Sequence, residues 1–314
     1  VSRFRPAALL LLLLLALPVA GCGRRQPPVV RPLWPALYEI AADDVPEPGQ
    51  FIRYAAPDAT GGGLDVAVTT YESTEPGRPK VQLVGVVHVA DALYYEHLQQ
   101  VLDRADVVLF EAIKPEGVGM TQWMKDSEPK DGDDLAGFQQ ELAAWFGFEY
   151  QLNAIDYSGA RYVHADMTVE KFIEEGGGEL LDGLPIEVGK GDPEGLTPEV
   201  KGVLSQVRAF GRDVLSEPNP LRSLARRLMA QTLGKLDEAD ALGMFPGLDD
   251  LVIGRRNAVA VETLSSQLDK TQGTIAIFYG AAHNPDLERR IAKLGYRRAS
   301  AFWLRAWALR PPLR

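Results

Sequence analysis

"VQLVGVVHVAD", residues 81–91, is a run of aliphatic residues that gives way at a histidine. Val81, Leu83, Val84, Val86 and Val87 suit a strand buried on both faces, with Gly85 interrupting the run. A core strand gains nothing structural by finishing on the imidazole of His88. A second run, "TIAIFYGAAHN", residues 274–284, finishes the same way at His283. Gly85 and Gly280 each stand three residues before a histidine, where a missing side chain lets backbone or ligand approach closely.

The flanking segments place the first run in a fold. "GLDVAVTTYEST" alternates as a strand, and "EPGRP" is a turn, so it should form a hairpin with "KVQLVGVVHV". "ADALYYEHLQQVLDRAD" has helical period, with Leu93, Tyr94, Leu98, Val101, Leu102 and Ala105 on one face and Asp91 as N-cap. "VVLFEAI", residues 107–113, is another buried strand. Strand, helix and strand in so few residues predict a right-handed βαβ unit with its strands parallel.

In parallel α/β sheets, ligands bind outside the carboxyl ends of the strands. His88 is at one such end, and Glu111 is near the next. "TIAIFYG" supplies a third strand, followed by "NPDLERRIAKLGY" as a helix with Asn284 as N-cap, Pro285 in the first turn and Gly295 at the stop. His283 lies between them. His88, Glu111 and His283 are therefore expected to converge at one sheet edge, within roughly 8 Å if they share a metal. The competing reading is a pair of core histidines satisfied by backbone. For Glu111 it is an ion pair to Arg256, since a buried carboxylate must be paired.

The middle of the chain adds "FEYQLNAIDYSGARYVHADMTVEKF", read as a short strand, a turn at Ser158-Gly159, and an extended segment entering a helix capped by Thr168. His164 and Asp166, two apart, would point to one side as substrate-binding residues, or they simply cap turns. "DDLAGFQQELAAWFGFEYQ", Thr197 to Leu215 and Asn219 to Leu242 read as helices of a cap, and "EEGGGELLDGLPIEVGKGDPEG" as a loop. Arg256 and Asn257 can bind a substrate carboxylate or brace the sheet edge. His97 reads as a solvated helix position, and "AFWLRAWAL" as a final strand on the core. The fold expected is α/β: a mixed, largely parallel central sheet flanked by helices, with a helical cap inserted at about 115–250 in a single domain over 49–314.

Composition narrows the partners. The net charge is −10 over 314 residues, which argues against nucleic acid. The start, "VSRFRPAALLLLLLLALPVAGCG", has basic residues, an apolar run too short to span a bilayer, and small residues before Cys22, the only cysteine. "LPVAGC" resembles the lipobox of bacterial lipoproteins. That resemblance implies a signal peptide over 1–21, acylation such as palmitate on Cys22, and a tether over 22–48 holding the domain at the cell envelope. Gly23 after the cysteine favours the outer membrane, facing the periplasm or the surface. An ordinary signal peptide with an incidental cysteine is the alternative.

"GVVH" at 85–88 and "GAAH" at 280–283, with "ADVVLFEA", "IGRRN" and "YGAAHNPDLERRIAKLGY", resemble the paired G-x-x-H motifs of the TraB/GumN family, which includes TIKI-type metallopeptidases. The resemblance covers residues 80–114 and 250–298; the middle matches loosely. It implies a divalent metal of unknown identity on His88, His283 and Glu111, Arg256 in the catalytic set, and hydrolysis of a peptide or small molecule. The wider group implies alternatives: metal-free acid–base hydrolysis of erythromycin-esterase type, or a ChaN-like haem- or iron-binding lipoprotein using His88 or Tyr157. Neither HExxH nor a G-x-S-x-G elbow occurs.

Overall fold

A computed structural model describes residues 40–58, 61–126, 141, 143–177, 211, 220–235 and 250–309. The leader, Cys22, the tether up to residue 39, the loop at 178–196 and most of the cap helices read from the sequence lie outside the described residues. No helix among the described residues is long and apolar enough to cross a membrane.

In chain order the elements are β1 (Ile52–Asp58), β2 (Gly61–Ser73), β3 (Lys80–Val86), β4 (Val89–Ala90), α1 (Ala92–Leu102), β5 (Val107–Phe110), α2 (Met120–Asp126), β6 (Glu149–Tyr150), α3 (Gln151–Ala154), β7 (Tyr162–His164), α4 (Val169–Phe172), α5 (Pro220–Leu233), α6 (Arg255–Leu268), β8 (Thr274–Gly280), α7 (Asn284–Lys293) and β9 (Tyr296–Leu309). The central sheet is mixed. β3, β8, β5 and β7 are adjacent and parallel, while β1, β2 and β9 join antiparallel. The hairpin of β2 and β3 forms as expected, with Val68 opposite Val84. Helices cover both faces, α1 and α5 on one and α6 and α7 on the other, each over its own apolar cluster.

Three features differ from the sequence reading. β3 and β5 are parallel but not neighbours, because β8 lies between them and pairs with both. β8 is buried from Ile275 to Gly280, as a strand with parallel neighbours on each side and helices on each face must be. The segment taken as a helical insertion also delivers β7, whose three residues extend the sheet beside β5. Residues 40–48, expected to be tether, pack on the domain: Ile40 joins a core cluster, and Asp44 pairs with Arg53. That arginine also meets Asp65, so two carboxylates fix the start of β1.

The register sets the functional edge. Val86 lies opposite Gly280, and Phe110 lies opposite both Phe278 and His164. Four parallel strands thus finish side by side. The residues that follow them, His88, Glu111, the turn Ala281–His283, and Asp166, emerge along one edge. The helix after β8 begins one residue earlier than expected, with His283 as its cap residue and Asn284 as its first helical residue, because Ala281–His283 already form a 3₁₀ turn. Gly85 allows close packing there: a Cβ would meet Asn284 Nδ2 and Val66 Cγ1 at 2.9 Å and would push both side chains aside.

Candidate functional site

Glu111 is the first residue beyond β5, and it is buried. Its amide donates to the Phe278 carbonyl at 3.1 Å, so the strand pairing itself carries the residue onto the edge. Its Oε2 accepts the Gly280 N–H at 2.6 Å, and its Oε1 accepts from Arg256 Nη2 at 2.6 Å. Arg256 sits in the first turn of α6, wholly buried, and also donates to Asp166 through Nε at 2.9 Å and Nη2 at 2.6 Å. Asp166 arrives just beyond β7. Strand β5, strand β7 and helix α6 therefore meet in one buried Glu–Arg–Asp triad.

The triad fixes charge states. Burial alone would raise the Glu111 pKa, but Arg256 and then His283 and His88 outweigh it and hold the carboxyl well below its ordinary range. Burial alone would likewise lower the Arg256 pKa, and Asp166 and Glu111 together hold it raised. Two carboxylates against one guanidinium leave an excess negative charge in a dry place. Backbone N–H groups of Gly280 and Met167 offset part of it, and a second positive group would balance it.

His283 faces that excess. Its Nδ1 lies 2.7 Å from Asn257 Oδ1. Asn257 Nδ2 donates to the His283 carbonyl and to Asp286 Oδ2, both pure acceptors, so the amide oxygen must be the atom facing the ring. His283 Nδ1 therefore carries a proton toward that oxygen, and Nε2 is the nitrogen left to face Glu111. That Nε2 is buried, has no hydrogen-bond partner among the described residues, and lies 3.5 Å from Glu111 Oε1. Tyr279 packs edge-on against the ring at 5.2 Å between centroids, closing it from that side.

His88 is held in the same manner from the other face of the sheet. Its Nδ1 lies 2.7 Å from Gln151 Oε1, and Gln151 Nε2 donates to the Tyr157 hydroxyl at 2.9 Å. The imidazole is buried and close enough to help hold down the Glu111 pKa. Glu111 thus contacts His283 and feels the charge of His88, and each histidine is tied at Nδ1 to a side-chain amide oxygen.

The structure joins Glu111, Arg256, Asp166, His283 and Asn257 by direct contacts. His164 is apart from them: its Nε2 bonds to the Ala112 carbonyl at 2.6 Å, its ring tilts against Phe110, and burial holds its pKa below the ordinary histidine value. Tyr157 is buried against Phe110, takes a hydrogen bond from Gln151, and has its pKa raised by burial. His97 is partly exposed on α1, away from the edge. Sequence reasoning missed Gln151 and Asn284. Both amide atoms of Asn284 are buried without partners among the described residues, beside His283. Gln151 belongs to no motif, and Asn284, read from the sequence only as a helix cap, shows its place beside the site only in the folded edge.

Among the described residues, no three His, Cys, Asp or Glu side chains are gathered as a ready-made metal cage. Two candidate ligands nevertheless fit one. Zinc bonded at about 2.0–2.2 Å to an imidazole nitrogen and a carboxylate oxygen separates them by roughly 3.3–3.5 Å in tetrahedral geometry. The Nε2 to Oε1 distance of 3.5 Å matches that span. The Nδ1–H bond to an amide oxygen is also the usual outer support of a metal-binding histidine. No family model, no characterised protein and no solved structure matches this chain.

Proposed function

We propose that this chain is a hydrolase of the TraB/GumN kind, exported and anchored through Cys22, working with a divalent metal held by His283, Glu111 and His88. The observation that carries the reading is His283 Nε2: a buried ring nitrogen, its ring fixed by Asn257, with no hydrogen-bond partner among the described residues and a carboxylate oxygen 3.5 Å away. In a neutral ring that nitrogen's lone pair faces the carboxylate, and a cation between them, a proton or a metal, joins the two. When bound, a divalent metal supplies an acidified water and a polarised substrate carbonyl.

The chain's own residues do the rest. Asn257 and Gln151 hold the two rings at Nδ1, and Nε2 of His283 faces Glu111. Arg256 and the Gly280 N–H fix both Glu111 oxygens. With its pKa depressed, Glu111 is a poor proton acceptor and serves better as a ligand than as a general base. The burial of every member excludes bulk water from the centre and strengthens each charge interaction there.

A second reading has its own support. Both Glu111 oxygens are already engaged, and His283 Nε2 can take a proton from water without any metal, as in erythromycin-esterase-type hydrolysis. Hydrolysis of a peptide or ester substrate by the purified chain is expected to stop on chelation and return with added metal. Glu111→Gln should lower turnover by about 10²-fold or more and weaken metal retention in parallel. Activity indifferent to chelation would transfer the chemistry to the metal-free reading. The anchor is tested separately: acyl labelling should vanish in Cys22→Ala, and persistent labelling would remove Cys22 as the acylation site.

A further inference from the structure

Buried polar atoms without a hydrogen-bond partner gather at one place in the fold. Among the described residues six side-chain atoms are in that state, and three of them belong to the consecutive residues His283 and Asn284. Thr69, Arg226 and Trp303 supply one each, on separate elements. His283 Nε2 has the Glu111 carboxylate in front of it. The Asn284 carboxamide has neither its donor nor its acceptor engaged. An amide that leaves water and regains no hydrogen bond is unfavourable in a folded chain, so its presence requires a reason.

The fold gives Asn284 no local work. His283 holds the cap position of α7, so Asn284 stands one residue too late to cap the helix. Its Nδ2 lies over Gly85, where a Cβ would stand 2.9 Å away, and the Gly85 carbonyl already accepts from the Tyr94 hydroxyl at 3.1 Å. The carboxamide therefore rests where β3 ends, three residues before His88 and directly after His283. Both His283 and Asn284 are wholly buried. A path that brings metal and substrate to His283 Nε2 therefore opens beside Asn284 as well.

One carboxamide offers a donor at Nδ2 and an acceptor at Oδ1, and it carries no charge. Its complement is a group that brings an N–H and a carbonyl oxygen together. An amide does so. An ester has no N–H and would leave Oδ1 unpaired, and a site built around such a hydrogen bond discriminates against the ligand that lacks it. We infer that Asn284 is a substrate-binding residue of the candidate centre, with Oδ1 accepting the N–H of an amide-bearing substrate and Nδ2 donating to a carbonyl oxygen. The inference rests on the metal-dependent reading. It adds to that reading a residue outside the two G-x-x-H motifs and a preference for amides over esters.

The test is calorimetric binding of acetohydroxamate and N-methylacetohydroxamate to the zinc-loaded full chain. The two probes share their chelating oxygens, and only the first has an N–H. Wild type should bind acetohydroxamate about tenfold more tightly or better. Asn284→Leu, close in size, should load zinc as wild type does, keep its circular dichroism, and bind the two probes alike. If leucine is too bulky for the fold, Asn284→Ala carries the same comparison. A general structural role for Asn284 would not change the selectivity for the N–H, and the cycle of two probes and two chains isolates that term. Selectivity that persists in the variant would trace it to shape and overturn the inference. Equal affinity for both probes in loaded wild type, or none for either, would also overturn it. Wild type that takes up no zinc would remove the metal-dependent reading and this inference together, an outcome distinct from a loaded chain that ignores the N–H.

Discussion

Arg256→Leu should destabilise the fold by about 3–5 kcal/mol, the cost of breaking a buried ion pair by removing one partner. Its guanidinium contacts Glu111 and Asp166 at once, and the side chains of all three are almost entirely buried. Without it, two carboxylates remain in a dry interior with no guanidinium to balance them. A domain of ordinary stability holds only about 5–15 kcal/mol in reserve, so the variant should unfold at much lower urea with an unchanged slope. Arg256→Lys should fall between, because one ammonium cannot reproduce the fork that reaches both acids. Its neighbour Arg255 is the control. It pairs at the surface with Asp250 and Glu175, and Arg255→Ala should leave the midpoint near wild type. An Arg256→Leu midpoint equal to wild type would mean that the triad does not hold the edge together.

The same triad has a pH signature in metal-free protein. The Glu111 pKa is depressed in the folded state. Its contribution to stability is therefore complete above the ordinary glutamate range. It declines as pH falls below that range, and it is gone once pH drops under the folded-state value. Arg256→Leu should remove most of this acid-side dependence.

Much of the fold could be read locally. β3 and β8 are apolar runs, α7 has a proline in its first turn and a glycine at its stop, and each formed within a few residues of where the pattern placed it. What escaped was non-local. Nothing in "VVLFEAI" or "KVQLVGVVHV" says that β8, more than 160 residues later, will insert between them. β1 was invisible because Arg53 and the Ala-Ala-Pro that follows break the apolar pattern, and the strand exists through pairing with β2 and the Asp65 contact. β7 is three residues long and is a strand only because β5 offers an edge.

The candidate site divides the same way. His88, Glu111 and His283 stood out because polar groups ended apolar strands, and the strand-end rule gave them a common edge. The sequence left open whether Glu111 served chemistry or an ion pair with Arg256. The structure shows the ion pair, with Asp166 as its second acid, and leaves the other lone pairs of Glu111 facing His283. Gln151, which orients His88, could not be singled out, because a glutamine directly after "FEY" has no distinguishing pattern. The role of Asn257 became specific only when its amide was seen donating to two acceptors, which turns its oxygen toward His283.

Metal loading of the purified full chain is the most direct measurement of the central claim. After equilibration with zinc or manganese and removal of free ion, elemental analysis should find about one equivalent per wild-type chain. His283→Ala and His88→Ala each remove a neutral imidazole ligand, and the double variant should retain essentially none. Asn257→Ala keeps every ligand but frees the His283 ring, so affinity should fall by about 10–100-fold. His97→Ala, altering a helix position away from the edge, should load as wild type does. Stoichiometric metal in wild type, lost in the double variant, is the expected result. Full occupancy in His88→Ala/His283→Ala, or none in wild type, would contradict the metal-dependent centre.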